Sequence, residues 1–520
     1  MAKEFICGCA APVAQTKAGK LRGFVIDGTY TFHGIKYADA KRFQMPVPPA
    51  PWEGIKDAVS YGYVSPILNR ETASGEVKVP HRYWPKDENC QYLNLWTQSL
   101  DPEAKRPVLV WFHGGGFRDG SSIEHVAYDG ENLSRFGDVV VVTVNHRLNI
   151  LGYLDLSPYG DKYKNSGNTG NADLVAALEW IQENITAFGG DPNNVTIFGQ
   201  SGGGGKVSSL MQTPAANGLF HKGIIMSGVY NGTQCPANPD SRPLIRGMLQ
   251  ELGLTEEDVE QLETLPYEAL AEAYKKVSPP IQKAGGYVGC VPLPNDYYVG
   301  DPRQVGFTPH AKTIPVLVGS VLGEMSTFGP GLPDRRSKTE EEQLAYLRRF
   351  LGDKTEELVE LFQECYPGRP RTDLVLLDTF TRAATKEFCR KKAEHSQSAT
   401  YNYLFTMDFP IDDGTPPWHC SDIPFVFHNT DKVPVCNIPG VSDQLEEIMC
   451  GIFVNFAYTG VPTAARLPQW DPCTPGDLAT MILDRECRLV HNFDDKLYDA
   501  YLPVAVNPKD LYEKEVTLLH

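Results

Sequence analysis

The sequence predicts an α/β protein: a central, mostly parallel sheet with helices on both faces, and helical insertions that form a cap. Three observations carry this expectation. Val108-Leu109-Val110-Trp111-Phe112 and Val139-Val140-Val141-Val142-Thr143-Val144 are continuous apolar runs, as strands covered on both faces require. Between Asn171 and Phe188, the residues Leu174, Leu178, Ile181, Ile185 and Phe188 recur at helical spacing and make one apolar stripe. Strand and helix signals alternate through residues 107–230, the order of a doubly wound sheet.

Size and charge bound the possibilities. The chain has 520 residues, 42% of them hydrophobic, enough for a large core. It reads as one domain over 1–520 with cap insertions at about 235–310 and 326–395. A formal charge of -17 opposes binding to nucleic acid or to an anionic membrane surface, both of which require a basic face. No apolar run approaches the roughly 18 residues of a membrane span. The first ten residues hold one lysine and an interrupted apolar run, which does not make a secretory signal, so a cytoplasmic protein is expected. Among the 12 cysteines there is no Cys-x-x-Cys pair, and neither a zinc site nor a redox motif is indicated. Cys7-Gly8-Cys9 has the makings of a metal or cross-linking pair, but reads more simply as two thiols on an edge segment.

Taken in order, Thr16-Lys17-Ala18-Gly19-Lys20-Leu21-Arg22-Gly23-Phe24-Val25 holds two short alternating runs with turn residues between them, an opening antiparallel hairpin. The proline-rich span up to Trp52 forbids regular structure. Asn89-Cys90-Gln91-Tyr92-Leu93-Asn94-Leu95-Trp96 is the next strand, ahead of the two apolar runs and the 171–188 helix. Ile224-Ile225-Met226 and Pro315-Val316-Leu317-Val318-Gly319 continue the sheet, and Tyr401-Asn402-Tyr403-Leu404-Phe405-Thr406-Met407 adds a late strand. Two helical tracts, 255–277 and 339–365, interrupt the alternation. Each opens with Thr followed three residues later by an acid, a capping box, and each is expected to lie in the cap. From Val441 onward the pattern is mixed.

The chemistry centres on Asn194-Val195-Thr196-Ile197-Phe198-Gly199-Gln200-Ser201-Gly202-Gly203-Gly204-Gly205-Lys206, a strand running through Gly-x-Ser-x-Gly into a helix. Such a turn pushes a serine hydroxyl out above a sheet, the nucleophile elbow of α/β-hydrolases. Four glycines at a helix start each cost up to about 1 kcal/mol relative to alanine, so bare backbone is needed there. A phosphate loop fails the count: Gln200 stands where its first glycine should be, and Val207 where its hydroxyl residue should follow Lys206.

A serine nucleophile needs a base, an acid that orients the base, and donors for the developing oxyanion. In this fold the order along the chain is Ser, acid, His. Glu324 lies in the loop after Pro315-Val316-Leu317-Val318-Gly319, with Asp301 the weaker candidate acid. His395, His419, His428, His491 and His520 follow it. His419, in a loop after the 401–407 strand, is the candidate base, whereas His428 ends an apolar run and reads as structural. For the oxyanion, His113-Gly114-Gly115-Gly116-Phe117 directly follows a strand. The N–H groups of Gly115 and Gly116 would join that of Gly202.

At this point the sequence resembles the carboxylesterase type-B family, which includes the cholinesterases and bacterial para-nitrobenzyl esterases. Phe32-His33-Gly34-Ile35-Lys36-Tyr37-Ala38, the 89–96 strand, Asn145-His146-Arg147-Leu148, Phe188-Gly189-Gly190-Asp191-Pro192-Asn193-Asn194-Val195-Thr196 and the elbow carry the likeness over almost the full length. The resemblance implies an α/β-hydrolase fold, a triad of Ser201, Glu324 and His419, and Gly115, Gly116 and Gly202 as oxyanion donors. It also implies Ser227 as a supporting residue, and Gln200, directly before the nucleophile, is expected to support the triad as well. The chain departs from the family's Gly-Glu-Ser-Ala-Gly elbow at Gln200 and Gly202, and has Met325 where a glycine usually follows the acid. Cys90 matches a cysteine that is disulfide-bonded in secreted members, yet residues 60–89 hold no cysteine to partner it, which fits a reducing compartment. The family's choline-binding tryptophan is replaced by Pro80, so a cholinesterase is not expected.

The function these readings imply is hydrolysis of small-molecule carboxylic esters through an acyl-enzyme, with no cofactor and no metal. Acyl transfer or amide hydrolysis on the same triad, and a non-catalytic interaction module, are the alternatives. Activity is expected to fall as pH drops through a histidine pKa near 6.5.

Overall fold

The computed structural model describes residues 4–9, 11–68, 79–230, 235–236, 239–326, 335–411 and 414–506. They fall into two compact units, Met1–Ile224 with Gly232–Ile314, and Ile225–Asn231 with Pro315–His520.

In the first unit, the strands Phe5–Ile6, Phe24–Ile26, Thr29–Lys36, Tyr92–Thr97, Val140–Val144, Arg106–Phe112 and Gly190–Gln200 pair in that order. The last three run parallel and the others antiparallel. Two of these parallel strands are those whose sequences read as continuous apolar runs, and Val108, Leu109, Val110, Trp111, Phe112 and Val140, Val141, Val142 are all fully buried. A separate hairpin pairs Val13–Gln15 with Lys20–Arg22, so its first strand lies before the Thr16 to Val25 stretch that holds the alternating runs, and residues 16–19 form the turn. The helix Thr169–Asn184 buries Leu174, Leu178 and Ile181, and a short 3-10 turn carries the stripe on to Ile185 and Phe188. Asp173 on this helix takes a two-pronged ion pair from the buried Arg147, at 2.7 and 2.8 Å, and also accepts the Arg147 N–H. That pair fixes the segment after Val140–Val144, which explains the arginine of Asn145-His146-Arg147-Leu148.

Both capping boxes form, at Thr255 with Asp258 and at Thr339 with Glu342. Neither tract is one continuous helix. In the first unit Pro266 separates a 3-10 helix, Glu256–Glu263, from the helix Tyr267–Lys283, because the residue before a proline is pushed out of the helical region. In the second unit Gly352, at φ 52°, separates Glu340–Leu351 from Thr355–Cys365.

The second unit pairs Val316–Val321, Thr400–Phe405 and Ala479–Leu483 in parallel, with Arg488–His491 antiparallel at the edge. Leu347, Leu358 and Phe362 of the paired helices pack with Leu404 and Ile482 of these strands. The mixed C-terminal region resolves into the helix Ser442–Thr459 and this edge of the sheet.

Candidate active site

Within the first unit, the buried strand Gly190–Gln200 runs directly into the helix Gly202–Met211, with Ser201 at the junction. Ser201 has φ 58° and ψ -128°, a conformation that costs a residue with a Cβ on the order of 1–3 kcal/mol and is held only where the surroundings enforce it. The Gly205 N–H donates to the Ser201 carbonyl at 3.0 Å, so the helix starts immediately after the serine. Its positive end therefore lies where negative charge would develop on a group attached to Ser201.

The 113–117 segment follows the strand Arg106–Phe112. Gly115 and Gly116 have φ values of 79° and 63°. A Cβ on Gly115 would meet the Asp119 carbonyl oxygen at 2.2 Å, so only glycine fits. The turn is closed by the Arg118 and Asp119 N–H groups, which donate to the Gly115 carbonyl at 3.2 and 3.0 Å. Its far side is anchored by Asn149, whose N–H donates to the Phe117 carbonyl at 2.8 Å and whose amide donates to that of Arg118 at 3.0 Å. Gly116 and Gly202 touch: a Cβ on Gly202 would lie 2.2 Å from the Gly116 oxygen and 2.4 Å from its nitrogen. This contact accounts for glycine at 202, where the resemblance would have alanine.

Within the second unit, Glu324 sits in the turn after Val316–Val321 and is fully buried. Its Oε1 accepts the Val321 N–H at 2.9 Å and the Thr381 hydroxyl at 3.2 Å. Its Oε2 lies 2.5 Å from Nδ1 of His419. The two segments are also tied through the backbone, since the His419 N–H donates to the Glu324 carbonyl at 3.0 Å and the Gly323 N–H to that of Pro417 at 3.2 Å. The His419 side chain retains 19% exposure, enough for its outer nitrogen to be used. Burial alone would lower its pKa, but the charge and hydrogen bond of Glu324, with Asp422 and Asp378 behind, raise it above the usual value.

The other sequence candidates have different occupations. Asp301 caps the short helix Pro302–Val305 and pairs with Arg303 at 2.9 Å. His428 faces Glu446 at 3.4 Å, and His491 faces Asp477 at 2.7 Å. His395 is exposed next to Glu394, and His520 lies outside the described residues. Ser227 is buried at φ 47°, its N–H donates to the Gly319 carbonyl at 2.7 Å, and its hydroxyl has no protein partner among the described residues. Gln200 is buried beside Gly114. Among the described residues no group of three or more His, Cys, Asp or Glu side chains is arranged to hold a metal ion.

Sequence reasoning missed the polar surroundings of Glu324. Asp378 accepts the N–H groups of Phe380 and Arg382, contacts the Thr381 hydroxyl, and so opens the helix Arg382–His395. Asp422 accepts the Tyr403 hydroxyl at 2.9 Å. Burial, and then the charge of Glu324, pushes Asp422 up to about 7 and Asp378 up to about 6. The one usable signal was an Asp three residues before Thr381 at a helix start.

Known proteins resemble this chain over nearly its whole length. The sequence model of the carboxylesterase family matches residues 10–500. The para-nitrobenzyl esterase of Bacillus subtilis (strain 168) is 31% identical over 505 residues, covering 94% of this chain and 98% of that protein. Phenmedipham hydrolase of Pseudarthrobacter oxydans is 31% identical over 491 residues, 91% of this chain and 95% of that one. An esterase from anaerobic Clostridium hathewayi, described as able to hydrolyse aliphatic aromatic polyesters, superposes with a TM-score of 0.94 at 55% identity, over 97% of this chain and 100% of its own. With its family matched over nearly its whole length and its relatives esterases of the α/β-hydrolase fold, the chain belongs to the carboxylesterase family and is a carboxylic-ester hydrolase.

Proposed function

We propose that this hydrolase works through an acyl-enzyme on Ser201, with His419 as general base, Glu324 as the acid that orients it, and Gly115, Gly116 and Gly202 as oxyanion donors. The observation that carries the reading is the buried Glu324 carboxylate 2.5 Å from His419 Nδ1, in the order Ser, acid, His that the fold demands. Glu324 fixes the proton on Nδ1, so the other ring nitrogen takes the serine proton and gives it to the departing alcohol, then takes a proton from the attacking water and returns it to Ser201. Ser227 and Gln200 serve as supporting residues. Treatment with an organophosphate tests the assignment: mass spectrometry should find one adduct, on the peptide carrying Ser201, and an adduct elsewhere would sink it.

The touching backbones of Gly116 and Gly202 make a sharper forecast. Gly202→Ala, although it restores the family's usual residue, should drive Gly116 away and lower kcat by about tenfold to a hundredfold, a part of what loss of a whole oxyanion donor costs. Unchanged kcat in a folded Gly202→Ala protein would show that the two segments do not form the hole.

For substrate, the similarity to the Clostridium hathewayi esterase supports ester bonds between aromatic acids and aliphatic alcohols, polymeric ones included. A panel of aryl and alkyl esters of graded acyl and alcohol size, with an aliphatic aromatic polyester film beside it, decides this. Preference for small alkanoate esters with no release of aromatic acid from the film would remove the polymer reading. The expected cytoplasmic location is supported by Cys90 and the other cysteines being free thiols. Among the described residues no helix is long and apolar enough to cross a membrane.

A further inference from the structure

Lys206 is the one charged residue of the helix Gly202–Met211, and it is 0% exposed. Burying an ammonium is costly unless it is paired and hydrogen-bonded, a cost that an apolar side chain of similar length would avoid. Its surroundings show where it is engaged. The first four residues of the helix are glycines, so Lys206 is the first position at which a side chain can attach the start of this helix to anything. Its Nζ donates to the His113 carbonyl oxygen at 2.8 Å and stands 5.9 Å from the centre of the Phe117 ring. His113 and Phe117 are the two residues that bracket Gly114, Gly115 and Gly116.

We propose that Lys206 is a positioning residue for the oxyanion loop, its buried Nζ gripping both ends of the 113–117 segment and tying them to the helix that begins at the nucleophile. This rests on the proposed function, because it gives the lysine a role in holding the donors assigned there.

The groups facing Lys206 fit a clamp. Glu124 is the carboxyl that compensates it, with Asp119 acting in turn on Glu124, and the rings of His113 and His146, 5.4 Å apart, both feel its charge. The Nδ1 atoms of both histidines are engaged by backbone carbonyls at 2.9 Å, Gly114 for His113 and Arg147 for His146. Burial first, and then the charge of Lys206, holds both rings well below their ordinary values, so they are neutral. Burial also lowers Lys206 to about 7 and raises Glu124 to about 7. In either protonation state the lysine nitrogen keeps an N–H to donate to His113.

The test compares wild type, Lys206→Met and Lys206→Gln in thermal stability, kcat, KM and affinity for a trifluoromethyl ketone, which adds to the nucleophile and places an oxyanion in the hole. Lys206→Met cannot donate: kcat should fall roughly tenfold or more, KM should stay within about twofold, and ketone affinity should fall by the same factor as kcat. Lys206→Gln can still donate an N–H, and should recover most of kcat and ketone affinity. A folded Lys206→Met enzyme with wild-type kcat, or one changed only in KM, overturns the proposal. Should Lys206→Met fail to fold, Lys206→Gln decides: near-wild-type kcat and ketone affinity support the clamp, and loss of both without recovery overturns it. Should neither fold, the lysine serves stability alone and the proposal falls. Failure of the parent reading looks different, since wild type itself would then form no ketone adduct on Ser201.

Discussion

Ser201→Ala should lose turnover on the order of 10⁵ to 10⁶ in kcat, keeping at most the roughly 10³- to 10⁴-fold over water that binding and the oxyanion donors supply alone. The size of the loss follows from what the serine contributes. Without its oxygen no acyl-enzyme can form, and hydrolysis must proceed by direct attack of water on an ester held by the remaining groups. The substitution is a clean one. Ser201 sits at φ 58°, and alanine keeps the same Cβ and the same backbone cost, so the stability of the variant should match wild type closely. A thermal melt that coincides with wild type, together with abolished release of para-nitrophenol and no organophosphate adduct, is the expected result. Hydrolysis at the wild-type rate would overturn the assignment of the nucleophile.

How much of this was legible in the sequence depended on whether the signal was local. Strands buried on both faces have to be apolar without interruption, which is why Val108 to Phe112 and Val140 to Val144 could be read directly. Capping boxes are chemistry within four residues, and those at Thr255 and Thr339 formed as read. The helix Ser442–Thr459 was obscured because Ile452, Phe453, Val454 and Phe456 carry strand propensity, which the burial of one helical face overrides. Its stop at Gly460, with φ 76°, was the available clue. The partners of Glu324 were beyond reach: Thr381 is 57 residues away in sequence, and only folding brings its hydroxyl to the carboxylate. Lys206 was visible only as the lysine of a failed phosphate loop, since a lysine is by default assigned to solvent and its burial under the 113–117 segment is a tertiary fact.

His419→Ala should cost about as much as Ser201→Ala, because members of a triad act as a unit. Glu324→Gln is the more informative variant. Oε1 of Glu324 accepts two donors, the Val321 N–H and the Thr381 hydroxyl, so a glutamine must turn its carbonyl oxygen toward them. Its amide NH₂ then points at Nδ1 of His419, where the carboxylate had been an acceptor. A ring nitrogen facing an N–H donor has to be unprotonated, which moves the proton to the other nitrogen, the one that must accept the proton of the serine. Wrong tautomer and lost charge together should lower kcat by about 10⁴-fold, with the fold intact. The pH profile gives an independent reading. The base must be neutral to act, so kcat/KM should fall as pH drops through the His419 pKa. Glu324, Asp422 and Asp378 raise that pKa, so the acid limb of wild type should lie above the roughly 6.5 of an unperturbed histidine. With the charge of Glu324 removed, the limb of the residual activity should shift to lower pH. An unshifted limb in Glu324→Gln, or a silent His428→Ala beside an active His419→Ala, would place the acid and base elsewhere.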